Sequence, residues 1–329
     1  MKYFRIVIPL LVLILSGCRQ KPESQEKDTF FSNKESVISG RITNITDSIN
    51  QRSLEISTDN FFNRYNKSTS FKVDVDKDGY FYFKTKFYHP QNSYIWFDKK
   101  YISYYVKPGD SLHTEIDASK LNFENTQFVK FSGNNSITSA LIHSYFTENL
   151  NVLNHKMSAS FFKSNSEDVT FDSIKNLEEK LFELNEKFIR NNNCTEDFIS
   201  WLDIQKKYGY ANLVVYYRMY SGKRHVTSQH FKPVYANGLI NSDYKGFLID
   251  YSRSGFVRDS IFKSLENNKK YLESRERAID QFYQQIKDPI TRDLLSYRMY
   301  DDLILNISKE IEDTLVLSNI RESINQNIS

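Results

Sequence analysis

Hydrophobic side chains between Val37 and Ser132 alternate with polar ones or form short apolar runs. These runs are rich in Ile, Val, Tyr, Phe and Thr, the residues that suit a pleated, half-buried strand. They recur about every 8–12 residues, which is typical of an antiparallel sandwich or barrel. The predicted strands are VISGRIT, SLEIS, SFKVDV, YFYFKTKF, SYIWF, YISYYV, SLHTEI and QFVKF. We therefore expect an antiparallel β-sandwich or barrel-like domain over residues 37–133.

The hydrophobic period changes after the segment FSGNNS. Ile142, Phe146 and Leu150 lie on one face of a predicted helix, SITSALIHSYFTENLNVL, which Ser136 would cap. The same spacing recurs in FDSIKNLEEKLFELNEKFIRNNN, which Asp172 would cap, and in segments 195–222, 260–286, 289–308 and 309–326. This pattern predicts about six helices in an all-α domain over residues 134–329. The predicted fold class is therefore α+β with two domains.

The N-terminus has the pattern of an export signal. Lys2 and Arg5 precede the apolar run IVIPLLVLIL, which has signal-peptide length and is too short to span a bilayer. Leu15-Ser16-Gly17-Cys18 then resembles a bacterial lipobox, in which the cysteine thiol receives a diacylglyceryl group. We expect a lipoprotein signal peptide over residues 1–17, lipidation of Cys18, and a polar tether over residues 18–36. Three acyl chains on Cys18 would give a stable membrane anchor.

Composition narrows the range of partners. The 329-residue chain is 40% hydrophobic and 15% aromatic, as expected for a folded protein. Removing residues 1–17 takes away Lys2 and Arg5, and the formal net charge falls from +3 to +1. A charge near zero argues against nucleic acid as a partner. The chain contains two cysteines, so lipidation of Cys18 would exclude an intramolecular disulfide, a Cys-x-x-Cys redox pair and a cysteine-based zinc site.

The segment YYVKPGDSLHTEI contains Gly109-Asp110-Ser111-Leu112, the motif for which one family of serine esterases is named. A nucleophilic serine would need a parallel strand leading into a helix, and a base oriented by an acid. Here Pro108 and Gly109 have the chemistry of a β-turn, and SLHTEI alternates like a strand. We therefore expect Ser111 to begin a strand rather than to act as a nucleophile.

A second short motif, DVDKDGYFYFKT, resembles the opening of an EF-hand calcium loop. Asp74, Asp76, Asp78 and Gly79 fit that loop, but its twelfth position is Thr85 instead of a bidentate glutamate. Asp-Gly between alternating hydrophobic runs is a strong hairpin signal. A hairpin is the favoured interpretation, and calcium binding by the three carboxylates is the alternative.

The helical region shows no catalytic or metal-binding pattern. Its histidines fall in separate segments without metal-ligand spacing. Cys194 precedes a predicted helix whose dipole would lower its pKa, whereas Glu196 and Asp197 would oppose that shift. As a lone thiol, Cys194 could form a mixed disulfide with a partner. We assign no catalytic residue, no metal ligand and no cofactor.

The order of motifs resembles a known family. A lipobox, a polar tether, ISGRITN, DGYFYF, YVKPGDSL and FVKFSGNNS precede long helices over roughly residues 1–320. This order resembles the N-terminal, non-catalytic half of exported TlpA-type thiol:disulfide oxidoreductase lipoproteins. Those proteins carry a β-rich domain and a helical segment ahead of a thioredoxin-like domain with a Trp-Cys-x-x-Cys motif. Here neither Trp96 nor Trp201 is followed by cysteine, so no catalytic residue of that family can be carried over.

These observations favour a non-enzymatic lipoprotein that is exported to the cell envelope and lipid-anchored to a bacterial membrane. It would act as a binding or scaffolding module, with a separately encoded thioredoxin-like protein as its partner. The alternative is a truncated or split thiol:disulfide oxidoreductase that lacks its catalytic thioredoxin domain. A third hypothesis, a small-molecule or glycan binder, rests on the tyrosines of YISYYV and NLVVYYRMY.

Overall fold

The fold combines two four-stranded β-sheets with helices that follow them along the chain. The computed structural model describes residues 31–45, 53–58, 70–98, 100–121, 128–153, 157, 159–221, 240–253, 286 and 288–298. The class is therefore α+β, in agreement with the pattern of hydrophobic periods. The predicted helices over residues 260–286 and 309–326 lie outside the described residues.

Eight strands form where the alternating pattern predicts them. Their bounds differ from the predicted ones by a few residues at most, because register and pairing rather than side-chain type decide where a strand ends. The strands are β1 (Glu35–Thr43), β2 (Ser53–Ser57), β3 (Ser70–Asp74), β4 (Tyr80–Lys86), β5 (Gln91–Phe97), β6 (Lys100–Val106), β7 (Ser111–Asp117) and β8 (Val129–Gly133).

The strands are arranged in two open sheets. Sheet I has the order β4-β1-β7-β8, and sheet II has the order β3-β2-β5-β6. Every pair is antiparallel except β1 with β7, which run parallel with Val37 opposite Ser111. The expectation of a purely antiparallel structure is therefore wrong at the centre of sheet I. A parallel pair needs a long crossover, and here the strands between β1 and β7 supply it. Neither sheet closes into a barrel among the described residues.

The Asp-Gly turn before β4 joins strands of different sheets. Gly79 N donates to the Asp76 carbonyl at 3.1 Å, and Gly79 has a φ of +87°, which suits glycine. The turn is where the sequence predicts it, but β3 lies in sheet II and β4 in sheet I, so the hairpin interpretation is wrong. Ile42 N donates to the Gly79 carbonyl at 2.8 Å, and this contact directs β4 onto β1.

The two sheets face each other across one shared core. Alternate residues of each strand point inward, as a pleated strand requires. The inner side chains of both sheets belong to a single buried cluster that includes Ile38, Ile42, Leu54, Ile56, Ile95, Phe97, Ile102, Tyr104, Leu112 and Ile116. Burial of these apolar side chains is the main stabilising contribution in this part of the molecule.

Within the part of the chain that the structure describes, five helices follow the sheets, with a further helical segment over residues 289–298. They are α1 (Ser136–Leu153), α2 (Ala159–Ser164), α3 (Glu167–Asn191), α4 (Glu196–Ser221) and α5 (Ser242–Arg253). The bounds of α1 agree with the predicted segment, and those of α4 lie within one residue of it. Within the described residues, no helix is long and apolar enough to cross a membrane.

Helix α3 begins earlier than its hydrophobic stripe suggests. The Ser166 side chain accepts a hydrogen bond from Val169 N, and Glu167 and Asp168 occupy the first turn. Both features stabilise a helix N-terminus. The predicted cap Asp172 therefore lies inside the helix.

Helix α1 connects the helical region to both sheets. It packs against β6, at the edge of sheet II, and against β8, at the edge of sheet I. The Ser139 hydroxyl donates to the Tyr105 carbonyl at 3.1 Å and accepts from Tyr105 N at 3.0 Å. These bonds satisfy two polar groups of an edge strand that would otherwise be open to another chain. Tyr105 itself belongs to the buried cluster of the helices.

The contact between α1 and sheet I contains a buried histidine. His143 is 2% exposed, and neither of its ring nitrogens has a hydrogen-bond partner. Its ring makes edge contacts with Phe128 and Phe131, at centroid distances of 5.3 and 6.2 Å. Burial lowers the pKa of His143 to about 4, because an imidazolium would lose its hydration there.

We expect the protein to lose stability as the pH falls from 6.5 to about 4. The unfolded chain takes up a proton at His143 in this interval, whereas the folded chain does not. The loss is about 3 kcal/mol of unfolding free energy. Urea unfolding across this interval measures the loss, and His143→Phe, which keeps the ring contacts, should remove most of it.

The matched control is His113→Phe, at a half-buried histidine on the outer face of sheet I. This variant should retain the pH dependence of the wild type. Equal slopes of stability against pH in the wild type and His143→Phe would contradict the assignment to His143.

Candidate functional site

The residues predicted to carry lipid chemistry lie outside the described residues. Leu15, Ser16, Gly17 and Cys18 precede Phe31, where the description begins. Phe31 and Ser32 already contact the folded part, since Ser32 N donates to the Tyr88 carbonyl at 3.0 Å and the Phe31 ring lies 6.3 Å from that of His89. β1 starts at Glu35, two residues before the predicted boundary at Val37.

The segment Lys107–Asp110 is a β-turn between β6 and β7. Asp110 N donates to the Lys107 carbonyl at 3.1 Å, and Gly109 has a φ of +89° at the third turn position. With Pro108 at the second position, these values describe a type II turn. Because β6 belongs to sheet II and β7 to sheet I, the turn carries the chain from one sheet to the other. The structure confirms that the GDS segment is turn and strand start.

The Asp110 side chain holds this turn in place. One carboxylate oxygen accepts hydrogen bonds from Lys107 N at 2.7 Å and from the Asn135 side-chain amide at 2.6 Å. Burial raises the pKa of Asp110, although both of these hydrogen bonds and the nearby Lys107 charge act in the opposite direction. Both hydrogen bonds join the carboxylate to neighbouring parts of the chain, which is the arrangement expected of a partly buried structural aspartate.

The start of β1 and the junction before α1 also bind to the turn. The Ser36 hydroxyl donates to the Lys107 carbonyl at 3.1 Å and accepts from Gly109 N at 2.9 Å. Val37 N donates to the Asp110 carbonyl at 2.8 Å. Three separate parts of the chain, residues 36–37, 107–110 and 134–135, therefore meet in one hydrogen-bonded cluster.

Ser111 does not approach a histidine base. It begins β7, and its backbone N donates to the Asn134 side chain at 3.1 Å. His113 lies two residues further along β7 on the same outer face, and its Nδ1 lies 3.2 Å from the Ser39 hydroxyl of β1. Ser39 and His113 are direct cross-strand partners on the open outer face of sheet I. The Ser39–His113 pair could not be predicted from the sequence, because it depends on the parallel register of β1 and β7.

The side chain of Asp76 stabilises the turn before β4. The Asp76 carboxylate accepts hydrogen bonds from Asp78 N at 2.9 Å and Tyr80 N at 2.8 Å. This is the Asx-type stabilisation expected at a tight turn. Among the residues that the structure describes, no group of three His, Cys, Asp or Glu side chains could hold a metal ion.

Cys194 lies in the connection between α3 and α4. Its side chain is partly buried against the core of the helices, and this burial raises its pKa. The sequence left the direction of the shift open between the helix dipole and the charges of Glu196 and Asp197, and the cause of the raised pKa is desolvation of the thiolate. Thr195 rather than Cys194 caps α4, accepting a hydrogen bond from Phe198 N at 3.2 Å. A thiol with a raised pKa is a weak nucleophile at neutral pH.

The tyrosines that suggested a binding surface divide between core and surface. In YISYYV, Tyr104 and Tyr105 are buried, whereas Tyr101 is 65% exposed. In NLVVYYRMY, Tyr217 is buried and Tyr220 is 41% exposed. Tyr101 lies next to Trp96, with 4.0 Å between the ring centroids, and this contact was not foreseen from the sequence. The alternation of inward and outward positions within SYIWF and YISYYV is the sequence feature that places Trp96 and Tyr101 on the same outer face.

A shallow groove of about 330 Å³ lies between α3 and α4. Lys206 Nζ stands 4.4 Å above the ring of Phe182, and Lys175 pairs with Glu179 at 3.9 Å. Two lysines and three glutamates line this groove on solvent-facing helix surfaces, and such a mixture of charges is typical of a solvated surface. The lining residues are Lys175, Glu178, Glu179, Phe182, Glu183 and Lys206.

Comparisons with known proteins found no protein that is similar to this chain. The chain matches no protein-family model, no curated protein and no solved structure. The functional conclusions therefore rest on the residues and contacts described above.

Replacing Asp110 with alanine should destabilise the protein by about 2–3 kcal/mol, because the Lys107 N–H and the Asn135 amide lose their acceptor. Ser111→Ala should change stability by less than about 0.5 kcal/mol, as for an exposed surface position. Guanidinium unfolding of both variants measures the difference. A larger effect of Ser111→Ala than of Asp110→Ala would contradict the structural role assigned to the motif.

Proposed function

We propose that this chain is a bacterial envelope lipoprotein, anchored through Cys18, that acts as a non-enzymatic binding or scaffolding module. The observation that carries the proposal is the succession of Lys2, Arg5, an apolar run of signal-peptide length and Leu15-Ser16-Gly17-Cys18. A run of this kind without a lipobox would predict an ordinary cleaved signal. The thiol at Cys18 supplies the nucleophile to which the diacylglyceryl group becomes attached.

The position of the folded part supports an anchored module. Residues 18–30 would form the tether, because Ser32 is already hydrogen-bonded to the folded part. A chain of 13 residues reaches at most about 45 Å when it is fully extended. The β-sandwich would therefore stand close to the membrane surface. We propose that it and the helices form two modules that meet through α1.

Several contacts support a non-enzymatic role. Asp110 is hydrogen-bonded within the turn before β7, and Ser111 begins a strand and bonds Asn134 through its backbone. Cys194 is partly buried with a raised pKa, and lipidation of Cys18 would leave it as the only thiol. Thiol–disulfide exchange within one chain needs two thiols. The resemblance of the motif order to that of TlpA-type lipoproteins supports a thioredoxin-like envelope protein as the partner.

Lipidation is tested by Cys18→Ala in the native bacterial host. The wild type should be recovered in the membrane fraction with a mass increase that corresponds to an acylated N-terminal cysteine. The variant should lack that increase, because the acceptor thiol is missing, and it should keep its signal peptide. Intact-mass spectrometry of both proteins measures the difference. An unmodified wild-type Cys18 in the mature protein would overturn the anchor.

The non-enzymatic role is tested by insulin reduction with dithiothreitol. The purified chain should not accelerate the reaction above the rate of dithiothreitol alone, since it offers one thiol where the catalytic cycle needs two. Cys194→Ser is the matched variant and should behave like the wild type. Acceleration that disappears in Cys194→Ser would favour a redox enzyme instead.

A further inference from the structure

The outer face of sheet II carries a row of four side chains that runs across all four strands. Trp96 on β5 lies opposite Tyr101 on β6, Glu55 on β2 lies opposite Trp96, and Lys72 on β3 lies opposite Glu55. Directly opposite residues share one face of a sheet. The inward neighbours Ile95 and Ile102 are fully buried, so the row faces outward.

The aromatic half of this row is exposed but fixed. Tyr101 is 65% exposed, the largest exposed fraction among the described large hydrophobic side chains. Its ring centroid lies 4.0 Å from that of Trp96 and 6.1 Å from that of Tyr94, at interplanar angles of 58° and 75°. Tyr94 in turn contacts Phe146 of α1 at 6.3 Å. The exposed rings are therefore held by a series of aromatic contacts that reaches the helices, and binding would not have to order them.

The other half of the row is charged and unpaired. Glu55 and Lys72 are both exposed, and within the described part of the chain neither makes an ion pair or a side-chain hydrogen bond. Neighbouring strands lie about 4.8 Å apart. A carboxylate and an ammonium group therefore stand one and two strand spacings from Trp96, on the same open face.

We propose that the row Tyr101–Trp96–Glu55–Lys72 is a binding site for neutral saccharides. A pyranose ring has an apolar C–H face and a rim of hydroxyl groups. Its C–H face would stack on the Tyr101 and Trp96 rings. Neighbouring hydroxyls would donate hydrogen bonds to the Glu55 carboxylate and accept one from the Lys72 ammonium group.

The composition of the row favours a saccharide over a peptide. A proline-rich peptide without charged residues would stack on the aromatic rings and leave both Glu55 and Lys72 without a partner. An anionic ligand would be repelled by Glu55 next to the stacking surface. This site goes beyond the proposed envelope role and does not depend on Cys18, so failure of either proposal leaves the other standing.

Tryptophan fluorescence provides the test, because the chain has two tryptophans in different surroundings. Trp201 is 1% exposed, whereas Trp96 is partly exposed, so acrylamide should quench mainly Trp96. The full chain is purified in a detergent without a sugar headgroup and titrated with hexasaccharides of β-1,4-linked glucose, mannose and galactose. Saturable protection of Trp96 from acrylamide by one of them is the expected result.

Substitutions within the row test whether the saccharide binds there. Tyr101→Ala and Glu55→Gln should each weaken the affinity about tenfold, the usual effect of truncating an anchor contact. Tyr82→Ala is the matched control, because Tyr82 is 61% exposed on the outer face of sheet I, and it should leave the affinity unchanged. Circular dichroism checks that each variant is folded.

Three outcomes would overturn the proposal. The first is that none of the three hexasaccharides protects Trp96. The second is that Tyr82→Ala weakens binding as much as Tyr101→Ala. The third is that a proline-rich decapeptide protects Trp96 whereas the saccharides do not, which would assign the aromatic rings to peptide recognition.

Discussion

The hydrogen bonds around Asp110 are the constraint on which the rest of the fold depends. The carboxylate closes the turn between the two sheets and binds Asn135 at the start of α1, while Ser36 and Val37 of β1 bind the backbone of the same turn. The cluster joins the start of β1 to the start of β7, two strands that are far apart in sequence, and their parallel ladder continues from there to Thr43 and Asp117. The cluster thus sets the parallel register of sheet I and the position of α1 together.

Helix α1 then determines which parts of the sheets are covered. It packs against β6 and β8, the edge strands of the two sheets, and places Phe146 against both Trp201 of the helices and Tyr94 of sheet II. The end of β5 and β6 nearest α1 is buried, with Asn92 accepting a hydrogen bond from the Trp201 indole at 3.3 Å. The opposite end, with Trp96 and Tyr101, remains open. Coverage and exposure along this pair of strands thus follow from where α1 and α4 pack against one end of it.

Local chemistry was predictable from the sequence, and long-range pairing was not. The bounds of α1 follow from the spacing of Ile142 and Phe146, and the turn at Gly109 follows from Pro-Gly chemistry, because both depend on neighbouring residues alone. The parallel partner of β1 depends on contacts between residues such as Val37 and Ser111, which no local pattern encodes. Helices α2 and α5 were not predicted. Helix α2 is six residues long, too short for a periodic stripe.

The same distinction applies to the candidate sites. The turn roles of Ser111 and Asp76 could be argued from local motifs, and the structure confirms that both residues lie in turns or at a strand start. The row on sheet II could not be foreseen, because Glu55 and Lys72 join Trp96 only through strand pairing.

β1 has partners on both sides in sheet I. A pulling force applied at its N-terminal end would act along the strand axis. Such a force loads the hydrogen bonds to β4 and β7 in shear, all at once, rather than opening them one by one. In the anchored lipoprotein that we propose, the end nearest the membrane would therefore resist mechanical extraction.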